Sequence, residues 1–217
     1  GGEVEVRMDE EEKKVLAAEG GRTSVGEAAK VVQTAVPLHI HMHFTDVWAT
    51  DGSKVTVVEG GRKQTRVGCG AYNGMQDIPR KGSEWWWEEE EEAWDARRVS
   101  AGMMGMRLPA HYEVVDAELA GILMALRETA ARPQAHRRRC LIMSDCAGAM
   151  RLVEAAWRKH TRREYARGAR GAMLEAICTY RARVQTTVLM YVPAHRGFAA
   201  NSYADAVAKA CTSAPMG

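Results

Sequence analysis

The stretch Cys140-Leu141-Ile142-Met143-Ser144-Asp145 places a carboxylate just behind four apolar residues. An unbroken apolar run of this kind is typical of a strand that is covered on both faces, as in an α/β sheet. Ligand sites in open α/β sheets gather where such strands end. The stretch therefore predicts a central strand of an α/β fold, with Asp145 at the edge of the sheet where a functional site would lie.

A second carboxylate lies on the helix predicted for residues 113–131. The apolar face of this helix is defined by steps of three and four residues, at Val115, Leu119, Ile122, Leu123, Leu126 and Ala130. At roughly 100° per residue, Glu118 points within about 60° of Val115 and Ile122, so it lies on or beside that face. A lone buried carboxylate costs several kcal/mol, roughly, unless an ionic partner satisfies it. Glu118 therefore indicates a charged partner in the interior.

Two further carboxylates stand in comparable settings. Asp51 closes the run 44–50, and Gly52 beside it indicates a local bulge or tight bend. Asp205 follows Tyr203-Ala204 near the end of the chain. Several such groups brought together raise each other's pKa values and cannot all stay ionised unaided. Four carboxylates in these positions therefore point to a metal site.

The chain resembles a type 1 ribonuclease H through five motifs that stand in the order and approximate spacing of that family. They are Thr50-Asp51-Gly52-Ser53; Val67-Gly68-Cys69-Gly70-Ala71-Tyr72; Ala117-Glu118-Leu119-Ala120-Gly121-Ile122 with Ala125-Leu126; Leu141-Ile142-Met143-Ser144-Asp145 with Ala149; and Tyr191-Val192-Pro193-Ala194-His195-Arg196-Gly197 with Asn201 and Ala204-Asp205. Each motif alone is commonly a turn or a helix cap, but five in order would have to coincide independently. The motif sequences are most similar to those of the ribonuclease H domains of retrotransposon reverse transcriptases. The resemblance covers roughly three quarters of the chain.

The resemblance implies an α/β protein with the ribonuclease H-like fold. Its sheet is expected to be mixed and five-stranded, with three antiparallel strands followed by parallel strands, and flanked by helices. The ribonuclease H-like domain is expected at residues 44–212, with an insertion at about residues 78–109. Residues 1–43 are then an acidic, helical linker or the end of an upstream domain, and residues 213–217 form a C-terminal tail.

The same resemblance implies an endoribonuclease that hydrolyses the RNA strand of RNA–DNA hybrids. The implied cofactor is Mg²⁺, with two ions per site about 3.5–4 Å apart and Mn²⁺ as a possible substitute. Hard oxygen ligands suit these ions better than zinc. By resemblance, Asp51 bridges both ions, Glu118 and Asp145 support the first, and Asp205 supports the second.

His195 matches a histidine that, in the family, lies beside the metals and assists proton transfer or product release. Pro193 and Gly197 flank it, and this composition suits an exposed loop. The alternative is that His195 merely caps the end of the strand predicted at residues 188–192. We favour the catalytic role.

Basic residues are concentrated between Arg151 and Arg183, where only Glu154, Glu164 and Glu175 oppose them. This basic stripe consists of Arg158, Lys159, Arg162, Arg163, Arg167, Arg170 and Arg181. It predicts a surface that neutralises phosphates along a duplex, and the alternative is an ordinary solvated helix pair. Polar residues beside the family motifs are further candidates for sugar or phosphate contacts, although each could equally satisfy a turn; they are Ser53, Asn73 and Asn201.

A tryptophan-rich stretch, Glu84-Trp85-Trp86-Trp87, runs into acidic residues 88–92 and Trp94. We place it between the third strand and the Glu118 helix. Three adjacent tryptophans cannot share one face of a helix or strand, so some must be exposed or bind something. A solvated insertion is the interpretation we prefer. The other is that the acidic run competes with nucleic acid for the basic stripe while the tryptophans stack on bases.

Two other functions remain open from sequence. The chain is alternatively a catalytically weak or inactive nucleic-acid-binding module of a reverse transcriptase, although such decay is expected to remove carboxylates first. A DNA-cutting transposase or junction resolvase is the other candidate, against which Ala204-Asp205 and His195 argue. Three departures from the family pattern predict a reduced rate and not a different reaction; they are Ala194, Ser202 and Cys146.

Composition agrees with one intracellular domain. The 217 residues, 46% hydrophobic, suit a single domain with appendages, and the net charge of +2 indicates no particular partner. Five cysteines without a Cys-x-x-Cys pair predict reduced thiols and a location in the cytoplasm or nucleus. No apolar run has the length of a membrane span and no leader opens the chain, so no membrane partner is expected. The lack of an initiating methionine suggests a fragment of a polyprotein with an upstream reverse transcriptase domain.

Overall fold

The described part of the chain is a five-stranded sheet with helices on both faces. The computed structural model describes residues 44–73, 103–192 and 199–213. The strands are β1 (Asp46–Glu59), β2 (Arg62–Asn73), β3 (Met103–Leu108), β4 (Arg139–Ser144) and β5 (Thr186–Tyr191). The helices are α1 (Val114–Ala131), α2 (Ala147–Arg158), α3 (Ala169–Arg181) and α4 (Ala199–Cys211). His195, the tryptophan-rich stretch and residues 1–43 lie outside the described residues.

The strand order is β3-β2-β1-β4-β5. β1, β2 and β3 pair antiparallel, whereas β4 is parallel to β1 and β5 is parallel to β4. The predicted mixed sheet is therefore confirmed. β1 and β2 form one long hairpin, whose turn is made by Gly60 and Gly61, both with positive φ (57° and 75°). Such a turn matches the right-handed twist of the flanking strands.

The two faces of the sheet carry separate apolar cores. On one face, α1 packs across β1 and β2 and also against α3, with Leu119, Ile122 and Leu126 fully buried. On the other face, α4 packs across β1, β2 and β3, with Val207 and Cys211 among the buried residues. β1 and β2 thus lie between two helices, so carboxylates on α1 and α4 can approach the central strand from opposite sides.

The ends of α1 follow from local sequence. Glu113 caps the helix, and its backbone N–H donates to Asp116 Oδ2 at 2.9 Å, which completes a capping box. The helix ends at Ala131, just before Arg132-Pro133, as expected because proline disfavours helical backbone at the residue before it. The helix predicted for residues 113–131 is confirmed.

Gly52 does not introduce the bulge or bend predicted from the sequence. The β1–β2 register runs without interruption through Asp51↔Gly70 and Gly52↔Cys69, and β1 continues to Glu59. The prediction was wrong because a glycine inside a strand also serves where another backbone approaches closely, and this is the role of Gly52.

The tryptophan-rich stretch was also misplaced relative to the strands. β3 (Met103–Leu108) pairs with β2 and follows this stretch in the chain, so the stretch lies between the second and third strands. β3 therefore falls inside the range 78–109 assigned to an insertion. Its sequence, MMGMRL, contains no β-branched residue and a central glycine, so it lacks the pattern that usually identifies a strand.

One buried hydrogen bond ties α1 to β1 at the end of the sheet away from Asp51. The indole N–H of Trp48, whose side chain is 1% exposed, donates to Thr129 Oγ1 at 2.9 Å. The Thr129 hydroxyl in turn donates to the carbonyl of Ala125 at 2.9 Å. Thr129 is therefore the acceptor that allows the largest core side chain to be buried.

Replacing Thr129 with valine is expected to lower the free energy of unfolding by about 1–3 kcal/mol, because the Trp48 N–H would remain buried without an acceptor. Urea denaturation measures this. The matched control is Thr179→Val, since the Thr179 hydroxyl also donates to a carbonyl one turn back (Glu175, 2.9 Å) but is exposed and accepts from no buried group. The control is expected to change stability by less than about 0.5 kcal/mol. Equal losses in both variants would contradict the assignment.

Candidate metal centre

The carboxylates gather where β4 ends beside β1. The last parallel pair between these strands is Thr50↔Ser144. Asp51 and Asp145 are the next residues along the chain after this pair, so they lie side by side where β4 ends and β1 continues. The prediction that a site lies at the end of the 140–143 strand is thus matched by the pairing register.

Glu118 completes a compact group with these two residues. One oxygen from each of Asp51, Glu118 and Asp145 lies within 4.8 Å of the other two. Asp51 and Glu118 are buried (4% and 3% exposed), whereas Asp145 is half-buried. Glu118 Oε2 is buried and has no hydrogen-bond partner among the described residues. A buried carboxylate oxygen without a donor is suited to ligate a cation.

Two glycines let α1 approach β1 closely enough for Glu118 to reach Asp51. A Cβ on Gly52 would lie 2.6 Å from the backbone nitrogen of Glu118 and 2.7 Å from the carbonyl carbon of Ala117. A Cβ on Gly121 would lie 3.2 Å from the carbonyl oxygens of both Asp51 and Gly70. The backbones of helix and strand are therefore in contact, and the glycine of the Thr-Asp-Gly-Ser motif sets the position of α1 relative to β1.

A glycine also allows α4 to approach the sheet closely on the opposite face. A Cβ on Gly70, the residue paired with Asp51, would lie 2.7 Å from the carbonyl oxygen of Ala204 and 2.8 Å from the backbone nitrogen of Ala208. This contact brings Asp205, which follows Ala204, to the side chain of Asp51, with which it shares a hydrogen bond. Asp51 is therefore approached by Glu118 from one face of the sheet and by Asp205 from the other.

The electrostatics of the group oppose full ionisation. Burial raises the pKa of Asp51, and the charges of Glu118 and Asp145, together with the hydrogen bond to Asp205, raise it further. Burial also raises the pKa of Glu118; the hydrogen bond with Asp51 opposes this shift and the charge of Asp145 adds to it. Without a cation the cluster therefore retains protons that carboxylates ordinarily lose.

A second buried carboxylate on β1 provides a contrast. Asp46 is fully buried, but Arg132 Nη1 lies 2.5 Å from its Oδ1 and Arg138 Nη1 lies 3.2 Å from its Oδ2. The protein thus supplies arginines where a buried carboxylate is structural. Asp51 is surrounded by other carboxylates, whereas Asp46 is paired with arginines. The atoms of the Asp51 group that could ligate a metal are all hard oxygens. Such a set fits Mg²⁺ or Mn²⁺.

A lysine that was not predicted from the sequence lies at the exposed side of the carboxylate cluster. Lys209 Nζ is 2.9 Å from Asp205 Oδ2, one helical turn further along α4. The spacing of four residues from Asp205 was a signal that could have identified it. The lysine partly neutralises the carboxylate that the resemblance assigns to a second cation.

Replacing Lys209 with methionine is expected to tighten binding of Mn²⁺ by roughly fivefold, because a cation at Asp205 would no longer compete with the ammonium group. Isothermal titration calorimetry of the metal alone measures the affinity. Lys159→Met, which removes an exposed lysine at the far end of α2, is the charge-matched control and is expected to leave the affinity unchanged. Unchanged or weaker Mn²⁺ binding in Lys209→Met would contradict this role.

Cys146, where the family often has serine, still caps α2. Its Sγ accepts a hydrogen bond from the backbone N–H of Ala149 at 3.4 Å. The substitution therefore preserves the start of the helix that follows Asp145. All five cysteines are free, and Cys146 is the half-buried one.

The predicted nucleic-acid contacts divide into exposed and buried residues. Five members of the basic stripe are exposed on the end of α2 and the segment that follows it; they are Arg158, Lys159, Arg162, Arg163 and Arg167. Ser53, Asn73 and Asn201 are instead buried, at 8%, 5% and 4% exposure. Asn201 Oδ1 has no hydrogen-bond partner within the part of the chain that the structure describes. All eight remain predicted contacts.

Two arginines of the stripe have structural partners. Arg181 is buried, bonds Glu154 and the carbonyl of Thr187, and lies over the ring of Trp157. Arg170 Nε donates to Asp116 Oδ1 at 2.7 Å and thereby links α3 to α1. Both arginines are therefore engaged in contacts within the protein. The part of the basic stripe that remains available to a ligand is the exposed set from Arg158 to Arg167, at the end of α2 and before α3.

Comparison with solved structures identifies the fold. The described architecture is similar to the PFV RNase H domain in solution (TM-score 0.55, 12% identity, covering 78% of this chain and 94% of that chain). It is also similar to Prototype Foamy Virus protease–reverse transcriptase (0.56, 14%, 79% and 21%) and to the foamy viral protein in complex with an RNA/DNA hybrid (0.54, 13%, 78% and 20%). The chain thus spans about a fifth of those two longer proteins. The predicted ribonuclease H-like fold is confirmed.

No protein-family model and no curated protein matches the sequence. Within the described ranges, every helix is too short or too polar to cross a bilayer.

Proposed function

We propose that this protein is an endoribonuclease that hydrolyses the RNA strand of RNA–DNA hybrids with the help of two divalent cations, within a retroelement reverse transcriptase polyprotein. The catalytic domain is residues 44–212. The observation that carries the proposal is the group of Asp51, Glu118 and Asp145, whose oxygens lie within 4.8 Å of one another where β4 ends beside β1, the central strand of a ribonuclease H-like sheet.

The protein's own residues hold and charge this centre. Asp51 lies between Glu118 and Asp205, so it is the carboxylate suited to contact two cations, with Glu118 and Asp145 on one side and Asp205 on the other. Held by these carboxylates, Mg²⁺ would supply an activated water and charge stabilisation for the leaving oxygen of the phosphodiester. Glu118 Oε2, which no donor satisfies, is oriented by the α1 backbone contact at Gly52. His195 is proposed to move the proton that the leaving group or product requires.

Substrate class follows from the surface around the centre. A ribonuclease H reads backbone, groove width and sugar, because the grooves of an A-like duplex display 2′-hydroxyls and phosphates more than base identity. The exposed basic run from Arg158 to Arg167 supplies charges for phosphates. Ser53, Asn73 and Asn201, which lie in or beside the family motifs in sequence, are proposed to orient the centre or contact a sugar.

The proposal is tested by incubating the full chain with a 5′-labelled RNA strand in three forms: paired with DNA, paired with RNA, and single-stranded. Labelled double-stranded DNA is the fourth substrate, and each is run with Mg²⁺ and with EDTA. Mg²⁺-dependent cutting confined to the RNA of the hybrid, with 3′-hydroxyl ends, is expected. Cutting of double-stranded DNA instead would favour a transposase- or resolvase-like activity. Salt-sensitive hybrid binding without cutting in Mg²⁺ or Mn²⁺ would overturn the enzyme in favour of the binding module.

A further inference from the structure

The β1–β2 hairpin extends well beyond the rest of the sheet. β4 ends opposite Thr50, and β3 ends with Leu108 opposite Val67. From Lys54 to Arg66 the hairpin is therefore a two-stranded ribbon, with no third strand on either edge among the described residues. We call residues 54–66 the arm. Its side chains become progressively exposed toward the Gly60-Gly61 turn, where every residue from 58 to 64 is exposed.

The arm carries a positive charge that the fold does not use. It contains four basic residues, Lys54, Arg62, Lys63 and Arg66, against one acidic residue, Glu59. Lys54 pairs with Glu113 at the base of the arm, and Arg66 pairs with Glu59. Arg62 and Lys63 at the tip are exposed and form no ion pair among the described residues. Val58, cross-strand from Lys63 and 68% exposed, adds an apolar contact beside the charges.

The arm is a direct continuation of the strand that carries Asp51. At about 3.3 Å per residue, the tip lies roughly 27 Å from Asp51 along the strand. A nucleic-acid strand places one phosphate about every 3.4 Å along its axis, so this reach corresponds to roughly eight phosphates. The antiparallel pairing and the tight glycine turn hold the charges at a fixed distance, unlike lysines on an unstructured tail.

We propose that the arm is a second binding site for the RNA–DNA hybrid, in which Arg62 and Lys63 contact backbone phosphates roughly eight nucleotides from the phosphodiester at Asp51. This inference rests on the proposed function. If the hybrid binds at the carboxylate centre on β1, its phosphates lie near the arm, which continues from the same strand. The arm adds affinity without touching the reacting group, so it acts equally on the ground state and the transition state.

Basic residues on an exposed ribbon also discourage edge-to-edge pairing between chains, a role that needs no ligand. The two roles differ in what they predict. A ligand contact releases counterions and changes the salt dependence of hybrid binding, whereas an anti-aggregation role changes only solubility.

The test is fluorescence anisotropy of a labelled hybrid of about 20 base pairs, titrated at several salt concentrations. The protein is the full chain carrying Asp51→Asn, with and without the double substitution Arg62→Gln/Lys63→Gln. The matched control is Arg137→Gln/Arg183→Gln, which removes the same charge from exposed residues that precede β4 and β5 at the opposite end of the sheet. Far-UV circular dichroism checks that each variant is folded.

The arm variant is expected to bind roughly tenfold more weakly and to lower the slope of log K against log salt by about two, with little change in the control. In the active chain the same substitutions should raise KM for the hybrid and leave kcat unchanged. Equal effects in the arm and control variants, or no effect in either, would overturn the arm site while leaving the proposed function intact. Failure of the unmodified chain to bind or cut any hybrid would overturn both.

Discussion

Replacing Asp51 with asparagine is expected to abolish Mg²⁺-dependent cleavage of the RNA–DNA hybrid, with a loss of at least about 10³-fold in rate. Asp51 is the carboxylate that both flanking helices approach, so its loss removes the ligand common to the whole centre. An amide keeps the shape and one oxygen but carries no charge. Single-turnover cleavage of a labelled hybrid, at saturating protein, isolates this step from binding.

The control for this loss is Asp116→Asn. Asp116 lies on α1 two residues before Glu118, is half-buried and bonds Arg170, so it belongs to the helix cap and not to the carboxylate group. Burial alone would raise its pKa, but the hydrogen bonds from Arg170 and from the Glu113 backbone, together with nearby positive charge, outweigh burial and lower the pKa of Asp116. Asparagine at this position is expected to weaken the cap slightly and leave cleavage within a few-fold of the original rate.

A stability measurement distinguishes loss of chemistry from loss of fold. The pKa of Asp51 is raised in the folded protein, so the folded state holds a proton that the unfolded state releases above its ordinary pKa. In EDTA the original chain should therefore lose stability as pH rises from about 5 to 8, and Asp51→Asn should lose less. The Tm of the variant is expected to exceed that of the original chain by more at pH 8 than at pH 5.

The cleavage rate tests the assignment of Asp51 itself. If Asp51→Asn cut the hybrid at more than a tenth of the original rate, the assignment would be refuted.

The mixed five-stranded sheet was predicted from the family resemblance, whereas the 140–143 strand and the Glu118 helix were predictable from patterns that burial imposes directly. Residues 140–143 form an apolar run that only a covered strand explains, and Glu118 lies on a helix face fixed by steps of three and four. Asp51, Glu118, Asp145 and Asp205 were each predicted from their settings, and the pairing Thr50↔Ser144 shows how the end of β4 beside β1 brings Asp51 and Asp145 together. Periodicity and strand ends carry this information without any knowledge of tertiary contacts.

Features that depend on approach between distant segments were not predictable. The local sequence around Gly52 does not show whether this glycine bends the strand or allows a helix to approach it. The deciding contact is with Ala117 of α1, which is distant in the chain. The third strand was misplaced because MMGMRL owes its pairing to β2 and not to its own propensity. Lys209 was visible as a lysine four residues after Asp205, but its contact became evident only once α4 was docked on β1.

The length of the β1–β2 hairpin illustrates a signal that was present and unused. Gly60-Gly61 between the valine-rich residues 55–58 and the polar residues 62–66 is a recognised hairpin turn. The strand periodicity of this segment is weak because, beyond Lys54, neither face is covered. A ribbon with two solvated faces has no apolar alternation to reveal it.

Gly52→Ala is expected to lower the free energy of unfolding by about 3 kcal/mol and to reduce hybrid cleavage in the fraction that remains folded. The new methyl group would lie 2.6 Å from the Glu118 backbone nitrogen and 2.7 Å from Ala117, distances that real Cβ atoms do not tolerate. These neighbours are backbone atoms and the Cβ of a buried alanine, so no side chain can rotate away. Relief requires α1 to move off β1, and Glu118 moves with it.

Gly148→Ala is the matched control, because it makes the same substitution in the first turn of α2, close in sequence to Asp145. A Cβ there would meet only Cys146 Sγ, at 4.0 Å, and the position is exposed and helical. The control is therefore expected to stabilise the protein by up to about 1 kcal/mol, since alanine favours the helix over glycine. Urea denaturation of both variants, with Mn²⁺ titration of the folded protein, measures the outcome. If Gly52→Ala were as stable as the original chain and bound Mn²⁺ equally well, the backbone contact between α1 and β1 would not set the position of Glu118. A loss of both, with the opposite sign of stability change in Gly148→Ala, is what a glycine required for helix approach produces.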